Sequence, residues 1–119
     1  MKDFHQLKVW EKAHLLTLAL YHATTSFPAE ETYGLTSQMR RAAVSIPSNI
    51  AEGCGRDGDP ELARFCTIAR ASASELEYQL LLARDLNLIP SSVYEELAQR
   101  TIEIKRMLTV LVQKLNANR

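Results

Sequence analysis

The chain has 119 residues, with 14 Lys plus Arg against 14 Asp plus Glu and 46% hydrophobic residues. A chain of this length is expected to form one domain that buries roughly two-thirds of the surface exposed in its unfolded state, without a metal or disulfide staple. A formal net charge of zero excludes bulk electrostatic attraction to nucleic acid or to an anionic membrane, so any such contact needs a local patch.

The first segment is predicted from about Asp3 to Ser26, because Val9, Ala13, Leu16, Leu20, Ala23 and Phe27 recur at alternating steps of four and three, a helical stripe of heptad type. Asp3 reads as its N-cap, with Gln6 completing a capping-box pattern and Pro28 as the stop. Trp10, Leu15 and Leu18 lie off the stripe, so this helix is apolar on more than one side.

After the connection "PAEETYG", a second stripe runs through Leu35, Met39, Ala42 or Ala43, Ile46, Ile50 and Gly53. It passes Pro47 without losing phase, which predicts one helix with a proline kink rather than two helices. The proline leaves the Ala43 carbonyl without its usual amide partner, and Ser45, Ser48 or water are the expected substitutes. Gly53, Gly55 and Gly58 are expected to end the element.

The third segment opens at "GDPEL", with Asp59 as N-cap, Pro60 at the first helical position and Glu61 in the first turn, and is expected to reach about Asn87. The fourth opens at "PSSVYEEL", where Ser92 and Glu95 form a capping-box pattern, and continues through Leu97, Thr101, Ile104, Leu108, Leu111 and Leu115. Ile102 and Val110 are apolar positions beside that stripe. The fold class is therefore all-α, an up-down-up-down antiparallel four-helix bundle spanning residues 1–119 as a single domain. "RRAAVS" and "ARASAS" concentrate small residues on the second and third helices, which predicts a close approach of their axes.

Residue chemistry offers few sites. Cys54 and Cys66 read as free thiols, which with the lack of a charged-then-apolar leader suggests a cytoplasmic protein. No apolar run approaches the roughly 20 residues of a spanning helix, so no membrane partner is expected. His5, His14 and His22 share a helix but not a face, and Glu75 and Glu77 point to different sides of theirs. No metal, cofactor or catalytic residue is therefore expected. The most distinctive polar feature is a stripe on the second helix, Gln38, Arg41, Ser45, Asn49, Glu52 and Arg56, with Arg40 beside it. It reads either as a binding surface whose arginines meet phosphate or carboxylate or, in the favoured reading, as an inter-helix seam. In that seam Arg40 or Arg41 meets Glu75 or Glu77. Basic residues on the fourth helix (Arg100, Lys105, Arg106, Lys114, Arg119) and on the first (Lys2, Lys8, Lys12) read as a solvated face interspersed with Glu95, Glu96 and Glu103, or as a nucleic-acid patch that a ring of copies would multiply.

The stretches "LKVWEKAHLL", "YGLTSQMRRAAVSIPSNIAEGCGR", "ELARFCTIARASASELEYQLLLARDL" and "IEIKRMLTVLVQKL" resemble the bacterial four-helix-bundle proteins first noticed in intervening sequences of large-subunit ribosomal RNA genes. The resemblance covers nearly the whole chain and is most specific between Ser37 and Gly53. That family is in turn similar to the accessory variability determinant of diversity-generating retroelements, a barrel-shaped pentamer that contacts nucleic acid and a reverse transcriptase. The resemblance implies a homopentamer without established enzymatic activity. It departs in charge, since the retroelement relative is markedly basic and this chain is neutral. The function expected is a non-enzymatic, homo-oligomeric interaction module, an adaptor contacting nucleic acid or a nucleic-acid-processing partner. The rival reading is a bundle enzyme or small-ligand-binding protein using the polar stripe. Trp10, Leu15, Leu18, Ile102 and Val110 are the expected oligomer contacts, because a four-helix monomer needs only about three apolar positions per heptad from each helix.

Overall fold

Four helices, α1 (Lys8–Thr24), α2 (Leu35–Cys54), α3 (Asp59–Asp85) and α4 (Ser91–Ala117), make up the chain in a computed structural model that describes residues 2–32 and 34–117. Arg119 lies outside the described residues. The helices pair antiparallel in sequence order. Thr17 meets Ala43, Ser45 meets Ser72, Glu77 meets Lys105, and Lys12 closes the ring with Glu103. This is the up-down-up-down bundle. Its core is one cluster drawn from all four helices, with Leu16, Leu20, Met39, Ile46, Ile50, Leu76, Leu80 and Leu108 fully buried.

The buried stripes differ from strict heptads in one instructive way. In α1 Thr24 is buried and Ala23 only half-buried; in α4 Val112 is buried and Leu111 half-buried, with Leu115 buried again beyond it. A straight helix turns once per 3.6 residues and drifts by about 20° per heptad against a 3.5-residue pattern. The core position thus moves one residue onward from Ala23 to Thr24 and from Leu111 to Val112, and Leu111 is released toward the α1 side.

Three termini differ from their predicted form. Asp3 caps only a 3₁₀ turn, Phe4–Gln6, accepting from the His5 amide at 3.0 Å. Leu7 is then extended, and α1 starts at Lys8 without a side-chain cap. The turn is held by stacking of Phe4 on His5 and against Trp10, and the Lys2 amide donates to the Cys54 carbonyl at the end of α2. At α3 the cap position is Gly58, at φ 88°, with Asp59 already helical. Only glycine adopts this conformation without strain. Ser92 lies inside the first turn of α4 rather than before it. The end of α3 falls at Asp85, close to its predicted place. Asn87, at φ 61°, donates to the Arg84 carbonyl and Leu88 to that of Ala83, a Schellman closure with Asn in the left-handed position.

Helix α2 runs unbroken through Pro47, which is buried. The Ala43 carbonyl that the proline orphans is not satisfied by Ser45 or Ser48. The Thr17 hydroxyl of α1 lies 3.1 Å from it, and 2.8 Å from the Ala13 carbonyl of its own helix. The vacancy left by the proline thus becomes an inter-helix hydrogen bond. Gly53 does not end α2 either. It is buried within the helix, where a Cβ would stand 2.8 Å from Phe65 Cβ and 3.0 Å from Leu62 Cδ1. The glycine permits the close approach of α2 and α3 that the small residues predict.

Candidate functional site

The polar stripe of α2 is largely used within the protomer. Asn49 Nδ2 donates to the Ser45 carbonyl at 2.8 Å and to its hydroxyl at 2.9 Å, and that hydroxyl is 2.8 Å from Ser72 of α3. Glu52 pairs with Arg56 at 3.3 Å, and the Arg56 guanidinium also lies over the Phe65 ring. The expected pairing of Arg40 or Arg41 with Glu75 or Glu77 is not formed. Arg40 turns the other way: its Nε donates to Thr24 Oγ1 at 2.9 Å, its terminal nitrogen to the Tyr21 carbonyl at 3.3 Å, and the guanidinium covers the Tyr21 ring. A cation at the carbonyl-rich end of α1 is favourable against the helix dipole. Glu77 is held at 2.8 Å by Lys105 of α4, and Glu75 accepts from Gln79 at 3.2 Å. Arg41 and Gln38 stay exposed beside a shallow groove floored by Ala42, Ser45 and Ser72 and bordered by Glu75.

The expected oligomer contacts separate into distinct environments. Trp10 is half-buried between Phe4 and the His14 ring, stacked on the latter at 5.2 Å, so much of its surface is already covered inside the protomer. Ile102 is half-buried on α4. Leu15 and Leu18, at 48% and 55% exposure, have no protomer packing to explain them, and Val110 stands at 49%. Leu18 points directly away from the core, since it lies half a turn from the buried row of Leu16 and Leu20.

The basic residues of α1 and α4 are divided in the same way. Lys12 pairs with Glu103 at 3.2 Å, Lys105 with Glu77, and Arg100 approaches Glu96 at 4.0 Å. Lys8, Arg106 and Lys114 make no ion pair among the described residues. Sequence periodicity alone did not separate these two sets, because pairing across helices depends on their register.

Cys54 and Cys66 are free and buried. Burial pushes the Cys66 thiol up to about 11, with Cys54 as a secondary cause, and burial also raises the Cys54 thiol. Neither has the thiolate character of a nucleophile. Among the described residues, no three His, Cys, Asp or Glu side chains are grouped to hold a metal, and no helix is long and apolar enough to cross a membrane.

These features define an antiparallel all-α bundle in which many of the polar side chains pair with one another and several large apolar side chains stay exposed. The profile of the family described as 23S rRNA-intervening sequence protein matches residues 5–110, and the chain belongs to that family. A crystal structure from Bacteroides thetaiotaomicron, described as a protein with unknown function from the S23 ribosomal protein family, has the same fold. It superposes with a TM-score of 0.79 at 22% identity, covering 87% of this chain and 97% of the other. No curated protein matches the chain significantly.

Proposed function

We propose that the protein is a non-enzymatic, homo-oligomeric interaction module that serves as an adaptor for nucleic acid or a nucleic-acid-processing partner. The observation that carries this reading is the outward pair Leu15 and Leu18, 48% and 55% exposed on α1, apolar surface of the kind an interface covers. A ligand site would instead gather several unpaired polar groups around a cavity. Here Asn49 and Glu52 are consumed by Ser45 and Arg56, and in the groove beside them Ser45 is bonded to Ser72 and Glu75 to Gln79, leaving Arg41 and Gln38 exposed at its edge. A ring of five copies is the form that the family resemblance implies, and a ring would set the unpaired Lys8, Arg106 and Lys114 at repeated intervals. Light scattering coupled to size exclusion at micromolar concentration tests the assembly. A multiple of 13.4 kDa is expected, and Leu18→Glu should lower it while leaving the helical circular dichroism unchanged. A wild-type monomer at all concentrations overturns the reading; a dimer keeps the interface and removes the ring. Sequencing the RNA and DNA that copurify with the native protein tests the adaptor role.

A further inference from the structure

Helix α1 has 17 residues and α4 has 27, lengths of about 25 and 40 Å at 1.5 Å per residue. The Lys12–Glu103 pair fixes their antiparallel register, which sets Lys8 about level with Met107. About the last three turns of α4 therefore extend past the start of α1. Because the chain before Lys8 folds into a 3₁₀ turn tied back to α2 through the Lys2–Cys54 hydrogen bond, it does not extend α1 alongside them. A groove of about 450 Å³ remains at this step. Its floor is aliphatic, built from Leu7, Val9, Met107, Val110 and Leu111, and its rim carries Lys8, Arg106 and Lys114. Among the described residues, no acidic side chain lines it and none of the three cations is ion-paired.

We infer that this step is a docking groove for a short amphipathic helix, bearing acidic residues beside its apolar stripe, supplied by a partner protein. Three properties select that occupant. The floor is a shallow, open trough between two helices, a place that can receive the apolar ridge of a third helix at spacings of three and four residues. The stretch from Arg106 to Lys114 spans about 12 Å, two helical turns, and Met107 offers an adaptable contact. Among the described residues the charged side chains of the rim are all cationic, so glutamates or aspartates flanking the ridge would find charge partners without competing with internal ones. Among the described residues the floor has no aromatic ring, so unpaired bases would find nothing there to stack on. A second copy placed with the same face inward would bring like-charged rims together, at a cost.

The inference rests on the interaction-module reading, and its test is separate from that of assembly. Displayed random peptides of about 12 residues are selected against the full-length protein and against its Arg106→Glu/Lys114→Glu variant. The expected result is enrichment of sequences with apolar residues at helical spacing and interspersed Asp or Glu. Their affinity should fall about tenfold or more in the charge-reversed variant, be weakened by salt, and be unaffected by Arg41→Glu, which lies outside the groove. Methyl NMR should place the bound peptide on Met107, Val110 and Leu111. Absence of enrichment, enriched peptides without acidic residues, or binding that survives charge reversal would overturn the proposal. Oligonucleotide or phosphatidylserine-vesicle binding lost in the same variant, with no acidic peptide selected, would assign the groove to that ligand instead. Conversion of an oligomer to monomers by Val110→Glu would make it a subunit interface and equally overturn the proposal; a monomeric wild type that still selects acidic peptides would sink only the oligomer reading.

Discussion

Along α2 and α3 the helices approach until Gly53 has no room for a Cβ against Phe65 and Ser45 can touch Ser72 across the interface. Along α1 and α4, by contrast, the contact is the least extensive of the sequential and closing pairs, one exposed ion pair bridges them, and grooves open at both ends. The first contact is built of Ala, Ser and Gly, which contribute little side-chain volume and bring backbones together; fully buried Ala69 and Ala73 continue that surface. The second has long side chains, Lys12, Arg100 and Glu103, along its edge, with Leu15 and Val110 about half exposed beside it. Close packing of backbones is thus concentrated on the α2–α3 side of the bundle, and the apolar grooves lie on the α1–α4 side.

The sharpest way to break this contrast is Gly53→Val. The new branched side chain must displace Phe65 or Leu62, and overpacking of this kind costs about 3 kcal/mol, a fall of about 10 °C in the midpoint of thermal unfolding. A melt followed by circular dichroism measures it, and a fall of under ~2 °C would mean that the α2–α3 contact yields easily.

Thr17→Val tests the α1–α2 contact at Pro47. Loss of the hydroxyl leaves the buried Ala43 carbonyl without its donor, at a cost of about 1–2 kcal/mol. In a Pro47→Ala background the restored amide can serve Ala43, so the same substitution should cost less. Denaturant titration of the four proteins gives the coupling, and additivity would show that the hydroxyl and the proline are unrelated.

A smaller effect comes from the buried thiols. The Cys66 thiol ionises near 9.0 when unfolded and at about 11 when folded. Its raised folded value gives stability that is complete below the unfolded value and is lost as pH rises from the one to the other. Melting temperature should therefore fall through this alkaline window, less steeply in Cys66→Ala than in the wild type, and iodoacetamide should label the native thiols only slowly at neutral pH.

The smallest change is expected on the open side. Lys12→Met removes the exposed pair with Glu103 and should shift stability by less than about 0.5 kcal/mol. A loss of several times that would show that α1 and α4 depend on this pair and are more tightly coupled than their grooves suggest.

Apolar spacing of three and four residues determined the four helices, their order and most of the core, because a helix that must bury one face records that face in its own sequence. Unbroken phase across Pro47 likewise carried the continuity of α2, and the run of Ala and Ser carried its close approach to α3. Only the tertiary structure decided which polar groups meet. Arg40 goes to Tyr21 and Thr24 rather than to Glu75 or Glu77, Thr17 serves Ala43, and Lys105 takes Glu77, while Lys8, Arg106 and Lys114 are left without a carboxylate among the described residues. Those pairings depend on the axial register and separation of neighbouring helices, and long side chains can reach in several directions from one backbone position. The same holds for the step between α1 and α4: each helix length is local, but the overhang exists only once register sets one helix end against the other.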